Sequence, residues 1–289
     1  MARDCHGLSE RRACQVVGQP RSTQRYARDE RDDEKPLCAA IHAAARAHPR
    51  YGSRRVAVVL RKEGWRVNRK RVGRIWREEG LQVPVRQRKR RRLGHSANGC
   101  SRYRPEFPNH VWSYDFVGDQ TEDGRTLKIL PVLDEFTRRD LALECGRSFT
   151  SGDVIATLEH LVGVYGPPVF LRSDNGPEFI AAAIRKWLAD SSIGTLFIAP
   201  ASPWENGYSE SFNSRLRDEL LDRELFTTLT EARYLLGEFR RTHNATRPHS
   251  SLNYSTPDRF YQDWLAANGP ADLARQAPLA ALASPIPPV

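Results

Sequence analysis

Carboxylates raise the chemical question in this sequence. Asp115 stands inside "WSYDFV", flanked by apolar and aromatic residues, where an ionised group is costly to bury unless a cation or hydrogen bonds compensate. Asp174 stands in "RSDNGPEF" and, taken alone, reads as an ordinary turn residue before Asn-Gly. The stretch "SPWENGYSESFNSRLRDEL" holds Glu205, Glu210 and Glu219, which a solvated helix could carry without any chemical role. Carboxylate oxygens are the donors that hard divalent ions such as Mg²⁺ take. The candidate chemistry is therefore metal-assisted, and these residues alone leave open which glutamate takes part. Zinc is disfavoured. Cys38 with His42, or Cys5 with Cys14, would be suggestive pairs, but no CxxC pair joins an HxxxH pair as a four-ligand site requires. Five scattered cysteines also argue against a disulfide framework.

The elements that must position these acids follow from periodicity. From His110 onward, "VWSYDFVGD", "TLKILPVLDEF" and "RDLALECG" are short β-rich segments separated by turn signals, the pattern of an antiparallel meander. An amphipathic helix "SGDVIATLEHLVGVYG", a strand "PVFLRSDNG", a helix "PEFIAAAIRKWLADSS" and a strand "IGTLFIA" come next. That order predicts an α/β fold: a ribonuclease-H-like mixed five-stranded sheet flanked by helices. It places Asp115 in the first strand, Asp174 just after the fourth, and Glu210 at the start of a later helix.

The front of the chain differs in charge and pattern. Residues 1–110 hold 28 Lys and Arg against 11 Asp and Glu, a net +17, whereas residues 111–289 hold 17 against 24, a net −7. So lopsided a split fits a polyanionic partner, since each phosphate neutralised releases counterions. "SRRVAVVLRKEGWRVNRKRVGRIWREEG" reads as a helix-turn-helix, with Val56, Val59 and Leu60 on the apolar face, Gly64 ending the first helix, Asn68 capping the second and Gly80 following it. Val72, Ile75 and Trp76 should face the core, leaving Arg69, Lys70, Arg71, Arg74 and Arg77 for groove and phosphates. Upstream, "LSERRACQVVGQPRSTQRYA" has the same rhythm, with Ser9 as cap and a second basic helix after "GQP". The domain plan is thus an all-α helix-turn-helix region over 1–85, a basic linker containing "RQRKRRR" over 86–104, a catalytic core with a helical extension over 105–265, and a disordered Ala/Pro tail over 266–289. No long apolar run and no signal peptide is present, so a cytoplasmic protein is expected.

Taken together, "WSYDFV", "RSDNGPEF" and "SPWENGYSESFNSRLRDEL" resemble the Asp, Asp and Glu blocks of the retroviral integrase and DDE transposase superfamily. The 35 residues between Asp174 and Glu210 match the interval of that superfamily. "HNATRPHSSLNYSTPDRF" and the helix-turn-helix segment resemble the corresponding blocks of OrfB-type insertion-sequence transposases, and the likeness runs from about residue 7 to about 265. The resemblance implies that Asp115, Asp174 and Glu210 are the catalytic metal ligands, holding two Mg²⁺ ions with Mn²⁺ able to substitute. It leaves Glu205 in a loop and Glu219 on an exposed helix face.

The implied reaction is cleavage at the element ends by water, followed by attack of the freed 3′-hydroxyl on a second phosphodiester, with no protein nucleophile. Arg217 would share a face with Ser214 and Glu210 and point toward phosphates, and Asn175, Trp204 and Asn206 would flank the DNA. His249 is read as a structural hydrogen-bonding residue. Implied partners are element-end and target DNA, further copies of the chain on that DNA, and an OrfA-type partner or fusion, with no membrane. A bacterial, nucleoid-associated location follows from the same resemblance. The alternatives are a plain ribonuclease-H-like nuclease and a catalytically silent, transposase-derived DNA-binding protein.

Overall fold

The computed structural model describes residues 7, 9–26, 31–83, 104–173, 178–197 and 207–269. The chain divides into two compact units, 1–82 and 83–289. The basic run 86–92, the rest of the expected linker up to residue 103, and the tail from 270 lie outside the described residues.

In the first unit, α1 (Glu10–Val17) is capped by the Ser9 side chain and ends at left-handed Gly18. The expected second helix after "GQP" is a single turn, α2 (Arg21–Gln24), which has no buried residue. Its sequence, RSTQ, offers no apolar stripe to bury. Then come α3 (Glu34–Ala47), α4 (Ser53–Lys62) and α5 (Arg69–Glu78). Gly64, with φ +95°, ends the α4 turn, and Gly80, with φ +64°, follows α5. The Asn68 side chain accepts from the Lys70 amide at 2.9 Å, satisfying one of the unpaired amides at the start of α5. Leu37 and Ile41 of α3, Val56 and Leu60 of α4, and Val72, Ile75 and Trp76 of α5 form the core of this unit.

The second unit is built on β1 (Val111–Tyr114), β2 (Val117–Gln120), β3 (Thr126–Asp134), β4 (Asp140–Gly146), β5 (Phe170–Ser173) and β6 (Gly194–Phe197). β1 and β2 meet β3 in one antiparallel register, Tyr114 opposite Val132 and Val117 opposite Ile129. They are one strand interrupted at Asp115 and Phe116, so six segments make a five-stranded sheet. β4 lies antiparallel on the outer side of β3, while β5 is parallel to β1 and β6 parallel to β5. A side chain at Gly194 would collide with the Phe170 ring across the last pair. The spatial order β4, β3, β1, β5, β6 is that of the ribonuclease-H-like fold.

Helices cover both faces of the sheet. Trp112, Tyr114, Leu130 and Val132 pack against Val154, Leu158 and Leu161 of α6 (Ser151–Tyr165) and Ile184 and Leu188 of α7 (Glu178–Asp190). On the other face, Val117, Leu127, Ile129 and Leu143 pack against Phe212 and Leu216 of α8 (Gly207–Leu216) and Ala232 and Leu236 of α9 (Leu229–Ala245). A π turn, Arg217–Leu221, extends α8, and α10 (Pro257–Asn268) ends the described chain. No helix of the described residues is long and apolar enough to cross a membrane.

Candidate active site

Strand alternation decides where Asp115 points. Trp112 and Tyr114 are buried against α6 and α7, so Ser113, Asp115 and Val117 face the opposite side, where α8 lies. Asp115 sits at the interruption in the strand and is half-buried. Its Oδ1 accepts from the Phe116 amide at 2.8 Å, and its Oδ2 accepts from Asn213 Nδ2 at 2.8 Å. These bonds supply the compensation that a carboxylate in an apolar strand requires.

Asn213 lies one turn after Glu210 on α8, on the same helix face. The bond from Asn213 to Asp115 therefore turns the Glu210 face of the helix toward Asp115. Glu210 is exposed and stands in the first turn of α8, where the helix dipole favours a negative charge. Asn213 Oδ1 is buried and has no hydrogen-bond partner among the described residues. Sequence reasoning passed over Asn213. Its one signal is the three-residue step from Glu210. Asp174, Asn175, Trp204 and Asn206, together with Glu205, lie outside the described residues.

Beyond Leu216 a projection at 3.6 residues per turn fails, because Arg217–Leu221 is a π turn. Arg217 opens that turn, is exposed, and donates from Nη2 to the Gly118 carbonyl of β2 at 2.9 Å. Glu219 does not lie on an exposed helix face. Its carboxylate accepts from Arg247 Nε at 2.8 Å and from Arg247 Nη2, and the Arg247 side chain is 2% exposed.

The block "HNATRPHSSL" thus folds back onto the helix of Glu210. His243 stacks edge-on against Phe212 with ring centres 5.0 Å apart, and its Nε2 lies 3.1 Å from the Arg138 carbonyl. His249 Nε2 lies 3.3 Å from the His243 carbonyl, so His249 is structural. Burial pulls His243 down to about 3 and His249 down to about 2, which keeps both rings neutral near pH 7. A small cavity of about 190 Å³ lies beside this cluster, lined by Glu135, Arg138, Tyr208, Arg215 and His243 among others. The buried Glu135 pairs with Arg172 of β5 at 3.5 Å.

In the first unit the groove-facing set of α5 needs revision. Arg71 and Arg74 turn toward α3. Arg71 donates to both Asp33 oxygens and to Glu34, and Arg74 donates to Glu34 and Glu78. The hydrogen bonds it donates to Asp33 raise Arg71 further above its already high pKa. The physical reason is the acidic N-terminus of α3, which meets these guanidinium groups across the packed helices. Arg69, Lys70 and Arg77 remain exposed on the outer face.

Residues 105–203 and 191–257 match family models described as integrase core domain, and residues 30–90 match a model described as HTH-like domain. A 31.7 kDa protein of insertion element IS407 from Burkholderia multivorans is 36% identical over 253 residues, covering 88% of this chain and 90% of that one. Transposase InsD of the Escherichia coli IS2 elements is 30% identical over 258 residues, covering 85% and 84%. Among solved structures, the catalytic core of HTLV-2 integrase in complex with magnesium is 19% identical and covers 54% of this chain and 97% of that one, with a TM-score of 0.41. The chain belongs to the insertion-sequence transposases, with an HTH-like region followed by a ribonuclease-H-like integrase core.

Proposed function

We propose that the chain cuts DNA at the ends of an insertion element and joins the freed 3′-hydroxyls to target DNA, with Asp115, Asp174 and Glu210 as the catalytic carboxylates. The single observation carrying this reading is the bond from Asn213 to Asp115 at 2.8 Å, which docks the Glu210 helix onto the central strand. The donor set fits Mg²⁺, being carboxylate oxygen with no thiol or imidazole in the three sequence blocks. Bound there, a pair of divalent ions supplies charge neutralisation at the phosphorus oxygens and activation of the attacking oxygen.

The remaining work falls to the chain itself. Phe116 N and Asn213 fix the Asp115 carboxylate, while Phe212 and Leu216, both buried, seat the helix that presents Glu210. Arg217, exposed and bonded to the Gly118 carbonyl of β2, is placed to meet phosphate oxygens, and the exposed Arg69, Lys70 and Arg77 supply phosphate contacts from the first unit. Family membership and the net +17 of residues 1–110 support DNA as the partner. Assembly of several copies on DNA and an OrfA-type partner belong to the same reading.

The test incubates the purified chain, with and without an OrfA-type partner, with DNA carrying the element ends and Mg²⁺. Nicking at 3′ ends and joined products are expected, and both should vanish in Asp115→Asn, Asp174→Asn and Glu210→Gln while DNA binding persists. Cutting without joining would instead indicate a nuclease. Undiminished joining in all three variants would overturn the assignment.

A further inference from the structure

A second group of ligating side chains gathers in the first unit. Cys38 and His42 stand one turn apart on α3 and share a face. Glu79, the residue that closes α5, approaches that face from the neighbouring helix. A donor atom from each of the three lies within 4.8 Å of the others, and His42 Nε2 is 2.9 Å from Glu79 Oε2. Cys38 and His42 are half-buried, and Glu79 is exposed.

The chemistry of this set differs from that of the acid site. Thiolate, imidazole and carboxylate are the three ligand types that zinc accepts together, whereas Mg²⁺ avoids sulfur. Donors around a tetrahedral zinc ion sit roughly 3.3–3.8 Å apart, given bond lengths of about 2.0–2.3 Å. Small rotations of all three side chains would bring the donors to that spacing. Glu79 faces both the His42 ring and the Cys38 thiol. A divalent ion would replace the protons shared in this cluster. Thiolate and carboxylate together balance its charge, with neutral imidazole as the third ligand.

We propose that Cys38, His42 and Glu79 bind one Zn²⁺, with a water as fourth ligand, and that the ion clamps the end of α5 to α3. The inference goes beyond the DNA chemistry proposed above. It concerns a structural metal in the first unit, a body small enough to gain from a staple. The helix it fixes carries the exposed Arg69, Lys70 and Arg77. Sequence spacing gave only the pair Cys38 and His42, because Glu79 enters from 37 positions away.

The experiment titrates Co²⁺ into the purified full chain, free of any histidine tag, and follows the near-ultraviolet thiolate-to-cobalt charge-transfer absorption. The carboxylate site has no thiol and cannot give this signature. One equivalent of Co²⁺ should develop the band and one equivalent of Zn²⁺ should bleach it. Cys38→Ser should abolish the band, and His42→Gln and Glu79→Gln should each weaken binding by at least about tenfold. Replacing Cys14 or Cys145 by Ser, or Glu210 by Gln, should leave the band intact. Far-ultraviolet circular dichroism confirms that each variant is folded, and the Gln variants keep the test open if the serine variant is not. Absence of the band, its persistence in Cys38→Ser, or unchanged affinity in both Gln variants would overturn the proposal.

Discussion

Replacing Glu219 by Gln keeps the side chain's shape and removes the negative charge against which Arg247 is buried. The Arg247 side chain is 2% exposed and that of Glu219 is 13% exposed, so the guanidinium would be left out of water without a counter-charge. Breaking a buried pair in this way costs about 3–5 kcal/mol, and the solvated edge of Glu219 points to the lower end, about 3 kcal/mol. With a urea dependence of roughly 2 kcal/mol per molar for a unit of this size, the unfolding midpoint should fall by about 1.5 M. The assay is urea unfolding followed by tryptophan fluorescence, to which the buried Trp112 contributes. Glu219→Gln combined with Arg247→Met leaves no charge buried and should recover a large part of the loss. The pair also ties the π turn after α8 to the C-terminal block, so strand joining should fall with stability while DNA binding stays unchanged. A midpoint shift under about 0.4 M, or a double variant as unstable as the two singles added together, would refute the reasoning.

Three further predictions rest on the same geometry. His243 and His249 are held neutral by burial, at about 3 and about 2, so the unfolded chain takes up protons below about pH 6.5 that the folded chain refuses. Their stabilisation is complete above that pH and is lost on acidification. Burial raises the carboxyls of Asp134 and Asp140, which acts in the opposite sense. The histidine share is therefore read by difference: below pH 6.5 the stability of His249→Gln should fall by about 1.4 kcal/mol less per pH unit than that of the parent, and parallel profiles would contradict it. Asn213→Ala removes the donor to Asp115. It should lower strand joining by about tenfold, worth about 1.4 kcal/mol, with little change in DNA affinity, and an unchanged joining rate would show that Asn213 does not position Asp115. Arg71→Met should destabilise the first unit in thermal melts, because Asp33 loses its guanidinium partner and Glu34 loses one of two. Arg69→Ala, Lys70→Ala and Arg77→Ala should leave the melt unchanged and each flatten the salt dependence of DNA binding by about one unit of log–log slope; the reverse pattern would mean that the exposed and paired faces have been misassigned.

The elements were legible because their signals are local. Asn68 before an apolar 3.6-residue stripe and Gly64 and Gly80 after such stripes mark helix ends within a few residues of one another, and the structure puts the caps there. The same holds for the β meander and the alternating helices and strands that follow, whose order alone limits the sheet to few topologies. Asp115 was singled out by its apolar neighbours, and alternation with Trp112 and Tyr114 gave it the face opposite theirs.

Polar partners were a different matter. A charge on a helix projection says only that a side chain is polar, and whether it meets water or an opposite charge depends on what packs across from it. Arg71 and Arg74 looked like phosphate contacts until α3 brought Asp33 and Glu34 to them. Glu219 looked solvated until a π turn, which no spacing rule announces, and the returning C-terminal block set it against Arg247. Asn213 reaches Asp115 across 98 positions. The sequence by itself determined the helices, the strands and the acids worth attention, since these depend on neighbours along the chain. Only the tertiary structure decided which polar groups share a face, a bond or a charge, since those depend on neighbours in space.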